Sequence, residues 1–147
     1  MWTFEHTETA SASPSQVWAR YAEPTTWPEW DHQTASVTVQ GSVVVGTRGS
    51  LKPVKGPATP FTFTEVTPEV SFTDVSRLLL SRLTFAHRIE PTAAGSRFTH
   101  CVTITGPLSP LFARLIGKRI AAGMPTAMRA LARLAEAVPA SADPAHT

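Results

Sequence analysis

From residue 34 onward the hydrophobic period of this chain changes once, at Gly106-Pro107. Upstream, short segments of alternating polarity follow one another at 34–40, 46–53, 60–67, 70–77, 82–90 and 96–105. Gly41, Gly46, Gly56-Pro57, Pro68 and the stretch Pro91 to Gly95 separate or interrupt them. A two-residue period bounded by turn residues is the pattern of half-buried strands. Downstream, apolar residues recur at Phe112, Leu115, Ile116, Ile120, Met124, Ala127, Met128, Leu131, Leu134 and Ala135. That is a 3.6-residue period held for about seven turns. Ser109 reads as the N-cap of this helix, with Pro110 at its first position. Gly123 and Pro125 fall mid-run, where a proline removes a backbone bond and predicts a kink. One long amphipathic helix must bury its stripe on the sheet that precedes it, which defines an α+β domain.

The front end adds to that frame. Residues 2–11 alternate, with Thr3, Glu5, Thr7, Thr9 and Ser11 forming a wholly polar face. The opposite face therefore points inward, and it carries His6 and Glu8 beside Trp2, Phe4 and Ala10. Ser13-Pro14-Ser15-Gln16 has the form of a capping box with proline at the first helical position. It opens a short helix over about 14–22 with Val17, Trp18 and Tyr21 inward. Pro24 and Pro28 punctuate a second helical turn that ends in Trp27-Pro28-Glu29-Trp30-Asp31.

With 147 residues, 42% of them hydrophobic, the chain is large enough for one buried core. It reads as a single domain over 1–138, with a flexible Ala/Pro/Ser/Asp-rich tail over 139–147. The start lacks a basic n-region and an apolar h-region, so no signal peptide is expected. No run approaches a membrane span. Cys101 is the sole cysteine, which excludes an intrachain disulfide and points to a reducing, cytoplasmic setting. Residues 1–74 hold four Lys/Arg against eight Asp/Glu, and residues 75–147 hold nine against three. The basic half is mostly arginine, without the aromatic interleaving or groove-reading helix of a nucleic-acid binder.

The order of these elements resembles the helix-grip fold of the SRPBCC superfamily, which includes START-like lipid-binding domains, pollen-allergen-like proteins and polyketide cyclases/dehydrases. The segments that carry the resemblance are Ala12 to Trp18, Trp27 to Asp31, Gly46-Thr47-Arg48-Gly49, Phe85-Ala86-His87, Gly95 to His100 and Gly106-Pro107-Leu108. Spanning residues 2 to 137, it implies a seven-stranded antiparallel sheet wrapped around the long C-terminal helix, with two short helices after the first strand. It also implies a hydrophobic ligand in the cavity between sheet and helix. The superfamily has no universal catalytic signature, since some members close rings and dehydrate, some carry ligand and some act as co-chaperone or regulatory domains.

Strand geometry singles out two histidines. Leu83, Phe85, His87 and Ile89 share one face, and so do Phe98, His100, Val102 and Ile104. Apolar faces point inward, so both histidines do as well. If Thr92 to Gly95 form a four-residue hairpin loop, His87 lies directly opposite His100, with Cβ atoms about 5 Å apart. The resemblance sets the first strand beside the last, which brings His6 and Glu8 toward the same floor. Two imidazoles and a carboxylate in a dry pocket can relay protons, one histidine as acid and the other as base, with Glu8 or His6 orienting one of them. Burial and mutual repulsion should both disfavour the charged histidines. The plainer alternative is that each is an interior histidine satisfied by a backbone or tyrosine partner. A metal on His6, His87 and His100 is geometrically conceivable, but no second shell is legible, and neither metal nor cofactor is expected.

The remaining inward positions nominate the cavity wall. These are Trp30 at the mouth, Phe61, Phe63, Phe72 and Phe85 on strands, and Phe112, Ile116, Ile120, Met124 and Met128 on the helix. Asp74 alternates with Phe72 and points inward unless an edge bulge turns it out, and Glu65 has the same ambiguity. Arg114, Lys118, Arg129 and Arg133 form either a solvated helix face or a docking surface for an acidic acyl carrier protein. The expected function is that of a cofactor-independent polyketide cyclase/dehydrase-like enzyme acting on a hydrophobic, oxygenated small molecule. The alternatives are a non-catalytic carrier or sensor of a lipid-like ligand, and a co-chaperone-like interaction domain.

Overall fold

Alternation along Trp2–Ala10 produces the first strand, β1, whose inward side is half-buried or buried at every second residue. The computed structural model describes residues 1–137; the tail over 139–147 lies outside the described residues. Ser13 closes a complete capping box with Gln16: the Gln16 amide donates to Ser13 Oγ at 3.2 Å, and the Ser13 amide donates to Gln16 Oε1 at 2.7 Å. That box starts α1, Pro14–Tyr21, and buries Val17 and Tyr21. Pro24 then opens a 3-10 turn over Pro24–Glu29, with Pro28 inside it and Pro24 and Trp27 buried.

Six strands follow: β2 Thr34–Val39, β3 Arg48–Pro53, β4 Thr59–Thr67, β5 Ser71–Leu78, β6 Ser81–Thr92 and β7 Gly95–Thr105. Every neighbouring pair is antiparallel. The order is β1-β7-β6-β5-β4-β3-β2, so the first strand does lie beside the last. This is the seven-stranded helix-grip arrangement, with the C-terminal helix closing on the inner face. No helix among the described residues is long and apolar enough to cross a membrane.

The β6–β7 hairpin keeps the expected register with a tighter loop. Thr92 pairs with Gly95, which leaves only Ala93 and Ala94 in the loop instead of four residues, and His87 still faces His100. Gly95 is held at φ +151°, and a Cβ there would run into the Ala10 carbonyl and Ser11. Gly95→Ala therefore combines a forbidden backbone angle with a backbone clash, and it is expected to cost roughly 2–4 kcal/mol in urea unfolding. A loss under about 0.5 kcal/mol would show that this corner relaxes freely.

The C-terminal helical run departs from the expected one in two ways. Its first turn is α2, Ser109–Phe112, with Leu108 at the N-cap position and no side-chain cap; Ser109 is instead the first helical residue and is buried. The break falls at Ala113–Gly117, which winds as a π turn, while α3 runs unbroken over Lys118–Glu136 through Pro125. A wider turn shifts the phase of residues on either side of it. Phe112 thus falls out of line with Ile116 and drops from the stripe on which a constant 3.6 period puts it.

Candidate functional site

Between the inner face of the sheet and α3 lies a cavity of about 500 Å³, within the range of small-molecule sites. Trp27 and Trp30 to Thr34 form one side, and Leu51, Pro53 to Lys55, Thr59 and Phe61 another. Asp74, Ser76, Leu78, Leu83, Phe85, His87 and His100 make the floor, and Ile116, Arg119, Ile120, Gly123, Met124 and Ala127 the roof. Gly123 lies against the Gln33 side-chain amide, which a Cβ there would approach to 2.7 Å and displace.

Of the residues nominated for the wall, Trp30, Phe61, Asp74, Phe85, Ile116, Ile120 and Met124 line the cavity, but Phe63, Phe72, Phe112 and Met128 do not. The first two are sealed off by Trp27, whose ring lies 6.4 Å edge-on to Phe63 and 5.8 Å stacked on Phe72. Met128 is fully buried farther along α3.

The histidines stand in a row. His6 pairs with His100 across β1 and β7, and His100 pairs with His87 across β7 and β6. The rings of His87 and His100 are 4.6 Å apart. His87 stacks on Phe72 at 3.9 Å and on Phe85 at 4.9 Å, nearly parallel to both. Its Nδ1–H donates to the Phe72 carbonyl at 3.2 Å. A carbonyl only accepts, so this bond fixes the tautomer and leaves the lone pair on Nε2. His100 Nε2 shares a 2.7 Å hydrogen bond with the Tyr21 hydroxyl. Burial pushes His87 down to about 3. His100 is pushed well below the ordinary imidazole range by burial and then by the neighbouring His87 and His6. Burial also raises Tyr21 well above its usual value, so the phenol keeps its proton.

Glu8 and His6 bond each other rather than His87 or His100. His6 Nε2 bonds Glu8 Oε1 at 2.8 Å, Arg129 approaches the same oxygen at 4.0 Å, and neither His6 nor Glu8 lines the cavity. The partner of His100 is Tyr21, from α1. No three His, Cys, Asp or Glu residues among those described are grouped so as to hold a metal ion. Arg114, Lys118, Arg129 and Arg133 are exposed, with Arg129 drawn toward Glu8 and Thr126.

Asp74, nominated with its direction left open, does face the floor, beside Ser76 and Leu78, which the sequence pattern did not single out. The bulge that left its direction open occurs on β4, between Phe63 and Glu65. It turns Glu65 out to Ser71 and leaves Asp74 inward, flanked across the sheet by Phe63 and Phe85. No side chain or backbone group among the described residues bonds its carboxyl. Burial among apolar neighbours raises it from 3.8 to about 7. The Trp30 indole N–H is buried without a partner among the described residues. At the mouth, Asp31 accepts from the Gln33 amide at 3.2 Å and the Thr34 hydroxyl at 2.9 Å, and its own value is raised by burial. Arg119 donates to the Lys55 carbonyl at 3.2 Å, tying α3 to the β3–β4 loop.

The floor thus offers the lone pair of His87 Nε2, the Ser76 hydroxyl and one carboxyl able to hold or release a proton near neutral pH. His87 and Asp74 stand diagonally across β5 and β6, two register positions apart, since His87 faces Phe72 and Asp74 faces Phe85. Aromatic and aliphatic walls enclose both.

A cavity of this kind beneath a helix-grip roof defines a ligand-binding helix-grip protein. The chain belongs to the polyketide cyclase / dehydrase and lipid transport family, whose model matches residues 1–136. Among solved structures it is similar to protein MLL2253 from Mesorhizobium loti, at 18% identity and TM-score 0.73, covering 94% of this chain and 99% of that one. It is also similar to the di-domain ARO/CYC StfQ of the steffimycin biosynthetic pathway, at 17% identity and TM-score 0.74, over 92% of this chain and 50% of that one. Norcoclaurine synthase from Thalictrum flavum, in complex with dopamine and hydroxybenzaldehyde, aligns at 18% identity and TM-score 0.70, over 95% of this chain and 88% of that one. At these identities the structures establish the shared fold. A comparison with the curated proteins finds no match.

Proposed function

We propose that this protein binds a hydrophobic, oxygenated small molecule in the cavity and catalyses a cofactor-independent proton transfer on it, of the enolisation, ring-closure or dehydration kind. The observation that carries the reading is Asp74: an unbonded carboxyl on a cavity floor, raised to about 7, the range in which a group both gives and takes protons efficiently. This shifts the division of labour expected from two histidines. With His87 at about 3 and His100 lower than usual, neither carries the extra proton of an imidazolium at neutral pH. The acid role then falls to Asp74. His87 Nε2 accepts a hydrogen bond from the substrate, and the His100–Tyr21 pair holds the floor beside it. Apolar walls fold the substrate so that its reacting atoms meet. Membership of a polyketide cyclase/dehydrase family supports the reaction class.

Native mass spectrometry of the purified protein, followed by denaturing extraction, identifies any co-purifying ligand. That ligand and oxygenated polyketide analogues are then tested for loss of water or ring closure. Turnover is expected with the wild type and is lost by 10²-fold or more in His87→Phe, which keeps the stacked ring and deletes Nε2. Tight binding with no chemical change in any of these compounds would establish a carrier instead.

A further inference from the structure

The outer end of the β5–β6 hairpin carries features that the cavity does not use. Leu79 and Leu80, at its turn, are 71% and 64% exposed, and Leu111 and Leu115, at the start of the C-terminal helical run, are 47% and 56% exposed. The two groups adjoin, because the Leu108 amide donates to the Leu80 carbonyl at 3.4 Å and Leu108 opens the helix that bears Leu111. Exposed leucines gathered on neighbouring elements differ from the scattered apolar residues of an ordinary surface. Leu80 also sits at φ +48°, where asparagine or glycine is at ease and leucine is strained. A polar residue would suit this turn on both counts, and residues that break a local rule tend to mark function.

The surrounding charge is of one sign. Arg77 and Arg82 lie directly opposite each other across the hairpin, a destabilising pairing of like charges. Neither has an ion-pair or hydrogen-bond partner among the described residues. Arg114 and Lys118 are exposed on the adjoining helix, also without ion pairs among those residues. No acidic residue occurs between Asp74 and Glu90 or between Glu90 and Glu136.

We infer that this end of the molecule docks on an anionic lipid bilayer. Leu79, Leu80, Leu111 and Leu115 enter the acyl boundary, while Arg77, Arg82, Arg114 and Lys118 meet the headgroups, the combination that holds peripheral proteins on membranes. The charge requires an anionic partner, and leucines projecting from a hairpin turn suit a deformable apolar layer. The same elements reach the cavity, since Leu78, Leu83 and Ile116 line it. A docked bilayer therefore lies against the cavity wall, and an apolar ligand gains a short route out of the lipid. Docking does not depend on any reaction in the cavity.

The test is co-sedimentation of the full chain with vesicles of equimolar phosphatidylcholine and phosphatidylglycerol, beside vesicles of phosphatidylcholine alone. Binding is expected to the anionic vesicles only and to weaken with salt. Arg77→Gln with Arg82→Gln is expected to reduce it on the order of tenfold or more. Leu79→Ser with Leu80→Ser should abolish it. Leu80→Asn keeps the measurement decisive, because it relieves the turn and should bind less while unfolding at the same or a higher temperature. Absence of binding to anionic vesicles overturns the inference, as does binding that these variants leave unchanged. So does a complex with an acidic carrier protein or a second copy of this chain that the leucine variants disrupt while vesicle binding is absent.

Discussion

Asp74→Asn is expected to lower turnover by 10²–10⁴-fold, the usual contribution of a positioned acid or base, and at the same time to stabilise the folded protein. The second effect follows from the direction of the shift. The carboxyl ionises at about 7 in the fold and at 3.8 when solvated, so between those values the folded state holds a proton that the unfolded chain releases. Stability is therefore intact below about pH 4, falls as pH rises, and reaches its full loss above about pH 7. That loss is roughly 2–4 kcal/mol, the lower figure allowing for screening of a side chain that faces a water-accessible cavity. Asparagine keeps the shape and removes the ionisation. The variant should match the wild type near pH 4 and exceed it above neutrality in urea unfolding.

The histidines bend the profile the other way and separate the contributions. Held at about 3 by burial, His87 refuses a proton that the unfolded chain accepts below its ordinary 6.5, and His100 is displaced in the same direction. Their share of the stability is complete above about pH 6.5 and is lost toward pH 3. Asp74→Asn should keep this acid limb and lose only the decline toward neutrality. If variant and wild type run parallel across the range, Asp74 is an ordinary solvated carboxylate and the proposed acid is wrong.

The parts of the site legible in the sequence were those fixed within one hairpin. His87 faces His100 because the β6–β7 loop is short and both flanking strands alternate strictly, so a loop of two residues in place of four leaves the pairing unchanged. Asp74 stayed ambiguous because a single inserted residue reverses everything beyond it, and nothing in Phe63-Thr64-Glu65 says on which strand the bulge falls. Contacts between distant elements were less accessible. Tyr21 is the chain's only tyrosine and was readable as inward on α1, but its bond to His100 depends on how α1 crosses the sheet. The same holds for the mouth, where Asp31, Gln33, Lys55 and Arg119 come from three separate elements. Glu8 had a nearer partner in His6, two residues away on the same face, and that local bond outcompeted the longer reach to the cavity. The π turn was hidden because a constant 3.6 period fits the apolar residues on both sides of it.

Phe72→Ala is expected to be the most destabilising change in the core beneath the floor, costing about 3–5 kcal/mol and lowering the unfolding midpoint by about 10 °C or more. Phe72 is fully buried and touches five other rings: Trp18 at 6.1 Å, Tyr21 at 5.0 Å, Trp27 at 5.8 Å, Phe63 at 5.8 Å and His87 at 3.9 Å. These come from α1, the 3-10 turn, β4 and β6, so a hole at this point has no single neighbour that can fill it. The substitution also removes the ring on which His87 lies while leaving the carbonyl that holds its Nδ1–H. Phe85 provides the internal comparison. It stacks on the same imidazole from the cavity side and is only half-buried. Phe85→Ala should therefore cost appreciably less stability, about 1–3 kcal/mol, and show itself mainly as weaker ligand binding. If the two variants unfold alike, Phe72 is no more part of the core than Phe85, and His87 lacks the rigid backing that sets the direction of its free nitrogen.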